Sequence, residues 1–199
     1  KISNVIIFMS IVSIFFSLLV GVFGIIATNK VNNNIDVIYE KRLLPITNIE
    51  NMREGFLSIR LSSTNAEIGY DDKYLDILEE KNKQIIKNYN EYKAVASDAE
   101  EIKYLNMFSE NYTVCIDIVR DLLKATKTGK QLSANTMKTL SETGNKIELS
   151  LNKLEEYDIK LAESNKIQSD IIYNANKNLL IGFLLFSSIV LLLTSIITV

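Results

Sequence analysis

The sequence predicts an all-α fold, an up-down-up-down four-helix bundle with long first and fourth helices continuing into two transmembrane helices. Three observations carry this reading. Long uncharged runs stand near both ends of the chain, apolar residues between them recur at steps of three and four, and one proline and seven glycines leave few places to break a helix.

The first run holds no charge from Ile2 to Asn29, and its core, Val5 to Ala27, makes about 35 Å of helix at about 1.5 Å per residue. The second run begins at Leu179 and continues to Val199, about 30 Å on the same rise. Either length crosses a hydrocarbon core. A cleaved signal peptide, the competing reading of the first run, has a shorter apolar region and a small-residue cleavage site, and the sequence shows neither. The expected division is a span over 1–28, a water-facing helical domain over 29–177 and a span over 178–199. Both termini then share one side of the bilayer, although charge does not say which, because Lys1 is the one charged residue outside the middle segment. Ends this bare lead us to expect further sequence beyond them.

In the middle segment the first helix carries a heptad seam through Val31, Ile35, Ile38, Arg42, Pro45, Ile49, Met52, Phe56, Ile59, Ser63, Ala66 and Tyr70. The seam traces back into the first span, so span and helix are expected to form one rod, kinked at Pro45. Gly69 ends the pattern. Asp71 or Asp72 caps a second helix bearing Leu78, Ile85, Tyr89, Tyr92 and Ala96. Ser97 with Glu100 reads as a capping box for a third, with its seam at Ile102, Leu105, Phe108, Tyr112, Cys115, Val119, Leu122 and Thr126 and with Gly129 as its cap. A fourth helix starts near Ser133, with Gly144 as its weak point, and carries Leu140, Ile147, Leu151, Leu154, Leu161, Ile172 and Ala175 into the second span. The two inner helices are too short to return to the bilayer, so the bundle is expected to stand off it on the longer outer pair.

Composition removes several function classes. All 24 acidic residues, and every basic residue except Lys1, lie in the middle segment, whose mildly acidic balance offers no basic stripe for nucleic acid. With no histidine and one cysteine, the usual transition-metal sets, Cys/His catalytic pairs and an intrachain disulfide are excluded; we expect no metal, no cofactor and no enzymatic chemistry. Cys115, on an apolar seam, reads as buried filler.

Ser10, Ser13, Ser17, Gly21 and Gly24 line one stripe of the first span, where small residues let helices approach closely in lipid, either a second copy's first span or the second span of the same chain. Arg53 and Arg60 share one flank of the first seam, suited to a carboxylate ligand or to ion pairs between helices. Counted from the turns, Arg60 stands level with Arg120 on the third helix and with Ser141 to Thr143 on the fourth, positions able to converge on a polar cleft. Arg42 is expected to snorkel outward, and Tyr89, Tyr92, Tyr104 and Tyr112 to pack with their hydroxyls at the surface.

The order and spacing of NNNIDVIY (Asn32–Tyr39), LLPITNI (Leu43–Ile49), Ile59-Arg60, NYNEYK (Asn88–Lys93), the acidic turn Ser97–Glu101, Gly129-Lys130 and Leu154–Ala162, between two spans, resemble the four-helix-bundle sensor domain of methyl-accepting chemotaxis proteins, the bacterial chemoreceptors. The resemblance covers essentially the whole chain and implies a homodimer in the plasma (inner) membrane, with the bundle outside the cytoplasm and both termini within it. It further implies a small-molecule ligand, or a solute-binding protein, sensed outside the cell, and a small shift of the fourth helix as the signal. Such domains also feed histidine kinases and cyclic-nucleotide enzymes. A membrane-tethered bundle without ligand is the remaining alternative. Family members that bind amino acids use a closely spaced arginine set that this sequence lacks.

Overall fold

A computed structural model describes residues Ile2–Thr198; Lys1 and Val199, the latter the last residue of the expected second span, lie outside the described residues. The chain is helical almost throughout: α1 (Ile2–Ile38), a π-helical turn (Tyr39–Leu43), α2 (Leu44–Ile68), α3 (Lys73–Val95), α4 (Ala99–Lys127) and α5 (Ala134–Thr198). It divides into two compact units, Lys1–Ile38 with Glu163–Val199, and Tyr39–Ala162.

No loop interrupts the first expected helix. Where a kink at Pro45 was expected, a π turn precedes the proline, which sits in the first turn of α2. Proline has no N–H and its ring crowds the carbonyl four residues back, so the ladder must be rearranged just ahead of it; the wider π turn makes that rearrangement without leaving the helix.

In the unit Tyr39–Ala162, α2, α3, α4 and the first part of α5 pack as a four-helix bundle. Asn51 reaches Asn88 and Gly55 meets Ile85 between α2 and α3; Tyr89 stacks on Phe108 and Tyr112 reaches Asn82 between α3 and α4. Along α2 and α5, Arg53 pairs with Glu155 and Arg60 with Glu148. In each pair of helices one partner's number rises as the other's falls, the mark of antiparallel neighbours. The seam residues Ile49, Met52, Phe56, Ile59, Leu78, Ile85, Leu105, Phe108, Val119, Ile147, Leu151 and Leu154 close into one buried core. A Cβ on Gly55 would come within 2.8 Å of Ile85 Cγ1, so this glycine sets how closely α2 and α3 approach.

The turns follow local chemistry. Gly129, at φ +68°, ends α4 in a Schellman motif, with Lys130 N–H donating to Ala125 C=O at 2.9 Å and Gly129 N–H to Thr126 C=O at 3.0 Å. Ser133 Oγ accepts the Thr136 N–H at 3.2 Å and opens α5, which runs through the buried Gly144 without a break. Asp71 Oδ1 accepts the Lys73 N–H at 3.0 Å ahead of α3.

Three expectations are corrected. The capping box of α4 is Asp98 with Glu101, one residue beyond Ser97 and Glu100. Glu101 is accordingly buried and Ile102 exposed, because the carboxylate that caps the helix also faces a cation inside the bundle. That cation is Arg42, which turns inward instead of snorkelling. Tyr92 keeps its hydroxyl inside, on Asp158, whereas the other core tyrosine, Tyr112, sends its own to Asn82 at the edge.

In the other unit, Phe16 of α1 meets Phe183 and Phe186 of α5 at 6.0 and 5.3 Å between ring centroids, and Asn34 donates to Ser169 Oγ at 3.1 Å. Ile6–Ile68 is, among the described residues, the one helix long and apolar enough to cross a membrane by length and composition. The final part of α5 exposes Leu184, Leu185, Phe186, Ile189, Leu192, Leu193 and Ile196.

Candidate functional site

Two features of the bundle stand out, a cleft and a buried charged layer. The cleft, about 220 Å³, opens between α2, α4 and α5. Arg60, Ser63, Thr64 and Glu67 supply its α2 wall, Ser141 and Asn145 its polar α5 wall, and Phe56, Cys115, Val119 and Leu140 its floor. Arg60 is half exposed, pairs with Glu148 and lies over the Phe56 ring at 5.8 Å. Ser63 and Thr64 both turn their hydroxyls back to the Arg60 carbonyl, at 2.8 and 3.0 Å. Burial pushes the Cys115 thiol up to about 11, so it stays protonated and unreactive at neutral pH.

The structure brings Arg60 and Ser141 to this one cleft and sends the other expected residues elsewhere. Thr143, next to Gly144 on the buried side of α5, returns its hydroxyl to the Thr139 carbonyl at 2.8 Å. Arg120 points to α3, held by Glu79 and Asp117 at 2.9 Å each, and lines a separate groove of about 350 Å³ with Tyr89, Phe108 and Tyr112. Arg53 lies between α2 and α5, bonded to Asn152, Glu155 and Glu50. On α1, the stripe is open at several points. Ser10 and Ser17 are exposed, Ser13 is half-buried, and a Cβ on Gly21 or Gly24 would meet nothing within 4 Å.

The charged layer was missed from the sequence. The π turn and three helices each contribute a polar residue to one level: Arg42 from the π turn, Tyr92 from α3, Glu101 from α4 and Asp158 from α5. Arg42 Nη1 donates to Glu101 Oε1 at 2.9 Å and to Asp158 Oδ1 at 3.1 Å, and Tyr92 donates to Asp158 Oδ2 at 2.7 Å. Asp98, half exposed, stands 3.8 Å from Arg42 Nη2 at the rim. Tyr92 and Asp158 are fully buried and Glu101 nearly so. Burial drives the Asp158 carboxyl up to about 6 against the pull of its bonds to Tyr92 and Arg42, and raises the Tyr92 phenol far above its ordinary range. A signal was present: Asp158 takes the seam position between Leu154 and Leu161, and Glu101 the one before Leu105, where an apolar residue belongs.

The bundle and its deep polar layer describe a fold, and the family comparison says what the fold serves. The model of the four helix bundle sensory module for signal transduction matches residues 1–173. The chain belongs to this sensory family. Neither the curated proteins nor the solved structures return a match. As a sensory bundle the chain is a non-catalytic signalling module.

Proposed function

We propose that this chain is the ligand-sensing and transmembrane-signalling portion of a bacterial chemoreceptor of the methyl-accepting type. In this reading residues 1–28 and 178–199 cross the plasma membrane, the bundle within 29–177 stands outside the cytoplasm, and both termini lie inside. One observation supports it above the others: α1, the π turn and α2 follow one another without a loop, and α5 is a single helix, so each apolar segment is joined to the bundle by unbroken helix. A small displacement made in the bundle has an uninterrupted route out of it.

Arg60 is the charged contact of the ligand, with Ser141 opposite. Its bond to Glu148 is an exposed ion pair, worth about 0 to 1 kcal/mol, so a small organic carboxylate displaces Glu148 from the guanidinium at little cost. The receptor works as a homodimer, its first spans meeting along Ser10, Ser13, Ser17, Gly21 and Gly24. Binding shifts the equilibrium between two helix arrangements by the ligand's differential affinity for them. Calorimetric titration of the whole chain in lipid nanodiscs with a set of small organic acids, and with the Arg60→Ala variant, tests the site. A ligand bound equally well by the folded variant would remove Arg60 from it.

A further inference from the structure

The layer around Arg42 buries more negative charge than positive. Glu101 and Asp158 are both sealed from solvent, and one guanidinium serves them. With both carboxylates ionised the buried groups carry one excess negative charge in a medium of low dielectric, and one proton balances them; Asp98 lies at the half-exposed rim. The groups that face this level are Arg42 from the π turn, Tyr92 from α3, Asp98 and Glu101 from α4, and Asp158 with its neighbour Tyr157 from α5.

The hydrogen bonds say which carboxylate takes the proton. Glu101 receives N–H donors on both oxygens: Oε2 takes the Ser97 and Asp98 amides at 3.1 and 3.2 Å, and Oε1 takes Arg42. None of these donors can accept in return, so a proton on Glu101 would find no partner among them. Asp158 Oδ2 instead faces the Tyr92 hydroxyl, which both donates and accepts. A protonated Asp158 donates to Tyr92 Oη and keeps that contact.

We propose that Asp158 is a proton-binding site, and that the proton's presence sets how firmly α5 is held to the π turn. Ionised, Asp158 shares Arg42 Nη1 with Glu101 and ties α5 to the π turn and to α4 through one charged nitrogen. Protonated, it gives up the charge-assisted half of that bond, and Arg42 remains with Glu101. Asp158 lies one turn before α5 leaves the unit at Ala162, and Arg42 sits in the unit's first turn, so the grip acts where the chain enters and leaves the bundle. This names the proton as an input to the sensory module; the binding site stands on the geometry alone, and only its signalling consequence rests on the receptor reading.

The test uses the whole chain in nanodiscs of zwitterionic lipid, followed by infrared difference spectroscopy as the pH is lowered from about 8 to about 5. The expected result is a protonated-carboxyl carbonyl band that rises well above the ordinary aspartate range and is missing from Asp158→Asn. Glu101→Gln is expected to move the midpoint down and Tyr92→Phe to move it up, opposite shifts that decide the matter even if Asp158→Asn does not fold. In a Cys115→Ala background, spin labels on Lys103→Cys and Lys160→Cys are expected to report a distance change with the same midpoint. A wild-type chain without the band, a band that survives Asp158→Asn, or midpoints unmoved by both other variants overturns the site; a distance that ignores the midpoint overturns the grip. None of these outcomes depends on the Arg60 titration, which tests the receptor reading separately.

Discussion

Replacing Arg42 by methionine keeps an unbranched side chain in the bundle and removes the one cation, among the described residues, that pairs with Glu101 and Asp158. Both carboxylates then stay buried without a counter-charge, and breaking a buried pair from one side costs about 3 to 5 kcal/mol. For a bundle of this size about 1 kcal/mol lowers Tm by about 4 °C, so Arg42→Met is expected to melt roughly 12 to 20 °C below wild type near neutral pH. The loss should depend on pH. Asp158 is already raised to about 6 in the folded chain by burial, and loss of Arg42 removes one of the influences holding it down. A carboxyl raised on folding contributes stability that is full below its unfolded value, near 3.8, and is lost as pH rises through the folded value. The deficit of Arg42→Met is therefore expected to shrink as pH falls from about 7.5 to about 5, and the triple variant with Glu101→Gln and Asp158→Asn to regain most of it. Thermal unfolding of the whole chain in nanodiscs, followed by circular dichroism across that range, measures both. A deficit below about 1 kcal/mol, or one that does not change with pH, would refute the reasoning and leave Arg42 a packing residue.

Gly129→Ala forces a side chain into the left-handed cap of α4 and is expected to cost about 1 kcal/mol, read as a fall of a few degrees in Tm. Gly55→Leu drives a side chain into Ile85 at the closest approach of α2 and α3; a loss of about 1 to 3 kcal/mol is expected by the same assay, and an unchanged Tm would show that the two helices part freely. In a Cys115→Ala background, Ser17→Cys or Gly21→Cys is expected to cross-link two copies in membranes, and cross-linking confined to Ile14→Cys or Leu18→Cys would place the contact on another face of α1.

Much of the bundle was determined by the sequence alone. The three-four spacing of Ile49, Met52, Phe56 and Ile59, of Leu105, Phe108 and Val119, and of Ile147, Leu151 and Leu154 marks core faces because a helix brings such residues to one side whatever its neighbours are. Gly129 and Ser133 were legible for the same reason, since caps satisfy backbone groups within a few residues of themselves. Tertiary structure decided where the charges went. Arg42 was legible as a seam residue, but whether it reaches water or a carboxylate depends on Glu101 and Asp158, which stand far away in the chain and reach its level only when the bundle closes. Arg120 was placed at Arg60's height by counting residues; its direction, toward Glu79 on α3, follows from how α4 is rotated, which counting along one helix does not fix. Periodicity records which face of a helix is apolar, whereas a long charged side chain chooses among partners that only packing supplies.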